Sequence, residues 1–311
     1  MDNTPIEVDK ATVIISIFVI VDEILSHPHC VAMLHRSGPA PRCSDASIIT
    51  VALYQELLGD PREDHFYRLH GAVLKEYFPC LPERSWYNRR KRNLCWIILL
   101  VRQAVCIALG VDKMKNGCLD SAPVPVTGYK RDKNPAWETV AAYGRCVAKA
   151  MKYYGCKLNL LVSETGVVMD FALSPANHFD NQIVPEFMAQ YAYRDVLEEV
   201  RGDKAYSDLP MQTDLLTEHG IRLKAPLKTN QPVKTMFQDQ FVATKEDNVK
   251  RLTVEQINSQ FQEQFHLSKH YAKSVHGLFT RVAAKVTAHS IGMLVNTMLG
   301  RKPLALAGLA V

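Results

Sequence analysis

The stretch Val200-Arg-Gly-Asp-Lys-Ala-Tyr-Ser-Asp208 places a carboxylate, Asp203, directly after a predicted strand. The residues before it, YRDVLEEV, are typical of a strand, and the Gly202-Asp203 pair ends it. Acids at strand ends and on a nearby helix can meet at one edge of a sheet. Neighbouring carboxylates repel and raise one another's pKa, and two Mg²⁺ ions about 3.5–4 Å apart would relieve that repulsion. The stretch therefore predicts an oxygen-rich, acidic site at the edge of a sheet.

Strand-like and helical segments alternate on both sides of this stretch. Asp120 lies in a proline-interrupted strand, Gly166 supplies the turn of a hairpin, and Asp180 is placed to cap a helix that runs to about Gln190. The predicted order is strand, hairpin, helix, strand, helix and strand, over residues 117–126, 156–173, 180–190, 196–200, 209–218 and 221–225. This alternation predicts an α/β catalytic domain with a mixed sheet.

Helical patterns dominate the two ends of the chain. The apolar run 11–21 is about 11 residues long, too short for a membrane helix of roughly 20. It lacks the positive start and small-residue cleavage site of a signal peptide, so we expect a buried core helix. Apolar residues recur at helical spacing in the other segments, which are 44–58, 64–78, 254–265 and 271–299. Residues 1–110 are therefore predicted to form an all-α region and 111–311 the catalytic domain with a long C-terminal helix.

Composition sets broad limits. The chain has 311 residues, 47% of them hydrophobic, with a formal net charge of +5 and a pI near 8.7. A mildly basic protein suits a polyanionic partner, although its pI is below the value of about 9 that is typical of nucleic-acid-binding domains. Eight cysteines lie far apart without a Cys-x-x-Cys pair. This spacing argues against a zinc site and a disulfide scaffold, and favours a reducing cytoplasm.

Residues 83–96, ERSWYNRRKRNLCW, combine five cations with two tryptophans and a tyrosine. Arginine and lysine side chains of this kind bind DNA phosphates with release of counterions. The alternative is a solvated helix face with Trp86 and Trp96 turned into the core. The composition favours contact with nucleic acid.

Several segments together resemble the DDE transposases of the ribonuclease-H-like superfamily, and most closely those of insertion sequence family 982. The segments are LDSAPVPV (119–126), YYGCKLNLLVSETG (153–166), LSPANHFD (173–180), RGDKAYSD (201–208) and the C-terminal SVHGLFTRVAAKVTAHSIGMLVN, with SDASIITVALYQELLG and ERSWYNRRKRNL near the N-terminus. The resemblance covers nearly the whole chain. It implies a ribonuclease-H-like mixed-sheet catalytic domain after an all-α DNA-binding region of helix-turn-helix character.

The resemblance implies three catalytic, metal-binding acids. They are Asp120 in "LDS", Asp203 in "GDKAY" and Glu255, which follows Arg251 in the family's Arg-x-x-x-Glu pattern. The family's tyrosine before that arginine is Asn248 here, and its lysine after the glutamate is Gln262. Thr253-Val-Glu-Gln256 could also be a capping box, which would place Glu255 in the first turn of a helix. Glu246 and Glu263 are the alternatives for the third acid.

Basic residues near these acids and in the N-terminal run are the expected DNA contacts: Arg84, Arg89, Arg90, Lys91, Arg92, Lys157, Lys204 and Arg251. Lys157 and Lys204 could instead be ordinary surface residues. Trp137 could stack on a base but is expected to anchor a loop at the surface. Asp208 and Asp214 are expected to cap the helix that follows Asp203.

The resemblance implies a Mg²⁺-dependent transposase, with two ions and Mn²⁺ as a possible substitute. It would bind the terminal inverted repeats, cut phosphodiesters there and transfer the freed 3′-hydroxyl strands to target DNA. Its partner would be double-stranded DNA, handled by a homodimer near the nucleoid of the bacterial cytoplasm, without a membrane. Two alternatives stay open: a ribonuclease-H-like nuclease without strand transfer, and an inactive or repurposed transposase that only binds DNA.

Overall fold

The computed structural model describes residues 8–34, 38–128, 135–146, 150–228 and 239–311. The chain divides into two compact units, one formed by residues 1–108 and 263–311 and the other by residues 109–262. Within the described residues, no helix combines the length and the apolar character that crossing a bilayer requires.

The first unit is helical. Its N-terminal helices are α1 (Lys10–Ser26), α2 (Pro28–Met33), α3 (Asp45–Leu57), α4 (Glu63–Tyr77), α5 (Arg84–Asn93) and α6 (Cys95–Ala108). The apolar run in α1 buries Val13, Ile17 and Val21 completely, which confirms the predicted core helix. Ser44 caps α3 by accepting the Ser47 N–H at 3.1 Å, as its position in the sequence indicates.

The C-terminal helix also lies in this helical unit. Val275–Met298, the last long helix of the chain, packs against α3 and α6. Almost every residue from Leu278 to Asn296 is buried, including the charged Arg281 and Lys285, so this helix has packing partners on all sides. Residues 263–311 therefore belong to the helical unit, whereas the sequence analysis assigns them to the predicted catalytic domain.

The second unit contains a six-stranded mixed sheet. Its strands are β1 (Asn116–Thr127), β2 (Ala142–Cys146), β3 (Met151–Ser163), β4 (Val168–Pro175), β5 (Glu199–Arg201) and β6 (Arg222–Lys224). Its helices are α7 (Asp180–Gln190), α8 (Leu209–His219) and α9 (Lys245–Glu263), and the C-terminal helix Val275–Met298 is α10. The predicted hairpin is confirmed, with Gly166 in the left-handed conformation at a φ of 88°.

The strand order is β2-β3-β1-β5-β6, and β4 also pairs with β3. β3 pairs antiparallel with β1, β2 and β4, whereas β5 pairs parallel with β1, and β6 pairs parallel with β5. The two helical connections, α7 and α8, precede β5 and β6, as parallel pairing requires. This arrangement is compatible with the predicted ribonuclease-H-like sheet.

The structure corrects the start of α9. The helix begins at Lys245, so Glu255 lies in its middle and Thr253-Val-Glu-Gln256 is not a capping box. The residues that form a reciprocal cap are Thr244 and Asp247: the Thr244 N–H donates to Asp247 Oδ2 at 2.9 Å, and the Asp247 N–H donates to Thr244 Oγ1 at 3.1 Å.

Candidate functional site: an aspartate pair at the sheet edge

Asp120 and Asp203 lie at the same level of two neighbouring parallel strands. Cys118 of β1 pairs with Arg201 of β5, and each aspartate is two residues beyond that pair. Side chains two residues apart lie on the same face of a strand, and paired strands are about 4.8 Å apart. The negative charge of Asp203 raises the pKa of Asp120, which agrees with this proximity.

The backbone after β5 is held in place by a side-chain cap from Asp203 and by packing of the Tyr206 ring on Gly202. Asp203 caps the short 3₁₀ turn Lys204–Tyr206, because its Oδ1 accepts the Ala205 N–H at 2.7 Å. The Tyr206 ring is buried and packs on Gly202, where a Cβ atom would come within 2.6 Å of it. The sequence Gly-Asp-Lys-Ala-Tyr therefore ends the strand and turns the carboxylate into a defined position.

Asp120 is held by two hydrogen bonds. Its Oδ1 accepts the Ser121 N–H at 2.8 Å, and its Oδ2 accepts Nδ2 of Asn258 at 2.8 Å. Burial raises the pKa of Asp120 to about 6, aided by the charge of Asp203 and opposed by these hydrogen bonds and by the charge of Arg251. Near neutral pH this carboxylate is ionised at a cost that a bound cation would offset.

One face of α9 looks toward Asp120. Arg251, Glu255, Asn258 and Gln262 follow one another at intervals of four, three and four residues, which places them on the same side of a helix. Asn258 contacts Asp120, and Gln262 Nε2 donates to the Pro123 carbonyl of β1 at 3.0 Å. Sequence reasoning missed Asn258, although its spacing from Arg251 and Glu255 is the signal that could have identified it.

Glu255 lies on this face but is engaged elsewhere. Its Oε1 is 2.7 Å from Nη2 of Arg251, and its side chain is 45% exposed. The two alternative acids lie near opposite ends of α9. Glu246, near its start, is 80% exposed and lies 3.5 Å from Lys250. Glu263 is the last residue of the helix. In the structure, the Glu255 carboxylate is therefore paired with Arg251.

The donor atoms fit a hard divalent cation in part. Asp120 and Asp203 offer carboxylate oxygens, the ligands that Mg²⁺ prefers, and burial, with a smaller contribution from the charge of Asp203, raises the pKa of Asp120. In the portion of the chain that the structure describes, no cluster of three or more His, Cys, Asp or Glu residues has metal-binding geometry. The aspartate pair fits a metal, whereas the expected three-acid set is not assembled.

Asp180 has a different place from the one predicted. It is the first residue of α7, and Phe179 occupies the cap position. Its Oδ1 accepts hydrogen bonds from Ser121 Oγ and from Lys157 Nζ, both at 2.9 Å. Ser121 follows Asp120 in β1, so this contact ties the start of α7 to the strand that carries the first aspartate.

The predicted DNA-binding residues of this unit differ in whether their charged groups are already paired with a carboxylate. Lys204 is exposed. Lys157 donates to Asp180 and to the His178 carbonyl at 2.9 Å, and Arg251 pairs with Glu255. Asp208 caps α8 as expected, whereas Asp214 lies within that helix.

The basic run forms α5, and the structure sorts its cations. Arg84 and Arg89 are exposed, and the Arg89 guanidinium lies 5.0 Å from the centre of the Trp86 ring. Arg90 pairs with Asp45, and Lys91 is 2% exposed in an ion pair with Glu63. The Lys91 ammonium group is therefore buried and already paired, unlike the exposed cations of α5.

The tryptophans contradict the alternative interpretation of Trp86 and Trp96 and the expectation for Trp137. Trp86 is 58% exposed and Trp96 is 72% exposed, so neither faces the core. Trp137, expected to anchor a loop at the surface, is 1% exposed and forms part of the core. Exposed aromatic side chains beside cations suit contact with nucleic acid, and buried Trp137 does not.

A comparison with protein families matches residues 113–291, more than half of the chain, to the family described as transposase DDE domain. No curated protein and no solved structure matches the chain.

Proposed function

Because the chain belongs to the transposases with a DDE domain, we propose that it cuts DNA at the ends of an insertion sequence and joins the freed strands to target DNA. The observation that carries this proposal is the aspartate pair, since Asp120 and Asp203 extend the same register of parallel strands. The quoted sequence segments keep insertion sequence family 982 as the proposed subgroup. Binding of terminal inverted repeats by a homodimer is part of the same proposal.

Asp120 and Asp203 would hold the divalent metal ions, with Mg²⁺ as the expected ion and Mn²⁺ as a substitute. Bound ions would stabilise charge on the phosphodiester and help to deprotonate the attacking hydroxyl. Asn258 orients Asp120 through its 2.8 Å hydrogen bond. Glu255 is proposed as the third acid, and for that role its ion pair with Arg251 must open.

The proposed DNA contacts are revised by burial. Arg84, Arg89 and Lys204 are exposed and keep their proposed role. Lys157 and Arg251 would act near the aspartates only after exchanging their carboxylate partners for phosphates. Trp86 joins Arg89 as a proposed contact, because an exposed ring beside a guanidinium can stack on a base.

Strand cleavage and strand joining test the proposal directly. The purified protein is given a labelled transposon end and a target plasmid with Mg²⁺, alongside the Asp203→Asn variant. Asp214→Asn is the matched control, because it removes an exposed carboxylate of the same unit. We expect cut and joined products from the wild type and the control, and a loss of at least 10³-fold in Asp203→Asn, on the order of 4 kcal/mol in the barrier.

The alternatives give other patterns. If the protein cuts an intact end but does not join even a supplied pre-cleaved end to target DNA, it is a nuclease without strand transfer. DNA binding without cutting, identical in the wild type and Asp203→Asn, would indicate a protein that only binds DNA.

A further inference from the structure

The helical unit contains a basic cavity of about 440 Å³ that is separate from the aspartate pair. It is lined by the start of α4, by α5, and by residues 271–281, which include the first turns of α10. Cavities of several hundred cubic ångströms are the usual size of small-ligand sites. We call this cavity the basic pocket.

Cations outnumber acids in the wall of the basic pocket. Its acids are Glu63 and Asp64, and its cations are Arg62, Arg84, Lys91, Arg92, Lys273 and Arg281. Glu63 is paired with Lys91, and Asp64 with Arg62 at 2.6 Å. Among the described residues, Arg84, Arg92 and Lys273 have no carboxylate within ion-pair distance. The wall therefore carries positive charge that the protein itself does not neutralise.

Two of these wall cations, Lys91 and Arg281, are buried beside the further ion pair Lys285–Glu56. Three buried cations, Lys91, Arg281 and Lys285, share two buried carboxylates, Glu56 and Glu63. Burial, together with the charge of Arg281, lowers the pKa of Lys91 to about 8. Buried charges are ordinarily matched by partners, so one positive charge in this group lacks its counterion.

Two arginines of the pocket also have unused hydrogen-bond donors. The Arg281 side chain is 10% exposed, its Nη1 makes no hydrogen bond, and its nearest carboxylate oxygens are 3.5 and 3.7 Å away. Nε of Arg92 is likewise buried without a partner. Unpaired buried donors are costly, and negative charge in the adjacent pocket would offset the uncompensated positive charge of these two guanidinium groups.

The start of α10 forms part of this wall through Ser274 and Gly277. Ser274 caps the helix, because its Oγ accepts a hydrogen bond from the Gly277 N–H at 3.2 Å. The N–H groups before Gly277 have no carbonyl partner within the helix, and the N-terminus of a 24-residue helix favours negative charge.

We propose that the basic pocket binds a phosphate group, which in a protein that acts on DNA is a backbone phosphate. Arginine forks match phosphate oxygens in pairs, and the cavity is larger than one phosphate, so that a neighbouring sugar also fits. The assignment to DNA rests on the proposed function, whereas binding of a phosphate group rests on the pocket alone.

The first arm of the test uses inorganic phosphate and the full-length protein without Mg²⁺. Titration calorimetry at constant ionic strength compares the wild type, the double variant Arg84→Gln/Lys273→Gln and the control Lys75→Gln. Arg84, Lys273 and Lys75 are all exposed, so these variants should fold, and Lys75 lies outside the pocket. We expect saturable binding to the wild type and the control, and affinity at least tenfold weaker in the double variant. Absence of saturable binding, or equal affinity in all three proteins, would overturn the proposal.

The second arm uses a duplex oligonucleotide and fluorescence anisotropy over a range of salt concentrations. Each lost phosphate contact reduces the slope of log K against log salt by about 0.9, and we expect a reduction of this size in the double variant. If phosphate binding weakens but DNA affinity and slope do not change, the DNA assignment is wrong and the pocket takes free phosphate. Neither arm involves cleavage, so a protein that binds phosphate but never cuts DNA contradicts the proposed reaction and not the pocket.

Discussion

Replacing Asp120 by Asn should stabilise the metal-free protein while removing its proposed activity. The pKa of Asp120 is raised from 3.8 to about 6, so the folded state holds this proton more tightly than the unfolded state does. The free energy of unfolding therefore falls as the pH rises from about 4 to about 6, and the full penalty remains above pH 6. Asparagine carries no charge and avoids this penalty.

The size of the effect follows from the pKa shift. A difference of 2.2 units corresponds to about 3 kcal/mol at pH 7.5 and about 1.6 kcal/mol at pH 5, as upper values. Asparagine can also make two hydrogen bonds: its oxygen accepts the Ser121 N–H, and its amide donates to Asn258 Oδ1 once the Asn258 amide has turned by 180°, which reverses the present bond. The stabilisation should consequently appear without a loss of packing.

Denaturant unfolding in EDTA at several pH values measures this difference. We expect Asp120→Asn to exceed the wild type by up to about 3 kcal/mol at pH 7.5, and by about half as much at pH 5. The control Asp214→Asn, which changes an exposed carboxylate, should follow the wild type at every pH. Added Mg²⁺ should stabilise the wild type but not Asp120→Asn. The reasoning is refuted if Asp120→Asn is the less stable protein at pH 7.5, or if the difference does not change with pH.

Three further substitutions test the packing and the hydrogen bonds. Gly202→Ala should lower both stability and DNA cleavage, because its Cβ would come within 2.6 Å of the Tyr206 ring; thermal unfolding and a cleavage assay measure the two effects. Glu56→Gln should cost about 3–5 kcal/mol in urea unfolding, because it leaves the buried Lys285 without its carboxylate. Asn258→Leu removes a donor to the first aspartate and should move the midpoint of the pH-dependent stability upward by about one unit; an unchanged midpoint would contradict the assigned hydrogen bond.

The strands and the aspartate pair were predictable because their signals are local. Gly166 adopts the left-handed conformation at the hairpin turn, where the sequence indicates it. The Gly-Asp pair marks the end of β5 just before Asp203, and the proline-interrupted strand that contains Asp120 is β1. Such signals lie within a few residues of the feature that they determine.

Other features depend on distant partners and were not predictable. The first half of α9 exposes Val249 and Leu252, so it lacks an apolar face to mark it as a helix. The exposure of Trp86 and the burial of Trp137 depend on which elements pack against them. Buried Lys91 looks like a surface cation in the sequence, because its partner Glu63 is 28 residues away.

The place of the third acid depends on electrostatic competition rather than on sequence spacing. Arg251 is four residues before Glu255 on one helix face, so a pair at 2.7 Å forms readily between them. The charge of Arg251 also lowers the pKa of Asp120, and the arginine therefore provides part of the positive charge that a metal would supply. A divalent ion bound by Asp120 and Asp203 would repel this guanidinium and attract the Glu255 carboxylate. Both forces would weaken the ion pair between Arg251 and Glu255. Metal binding and release of Glu255 from Arg251 should for this reason be coupled, and the acid that the sequence motif indicates would join the pair only when the ion is present.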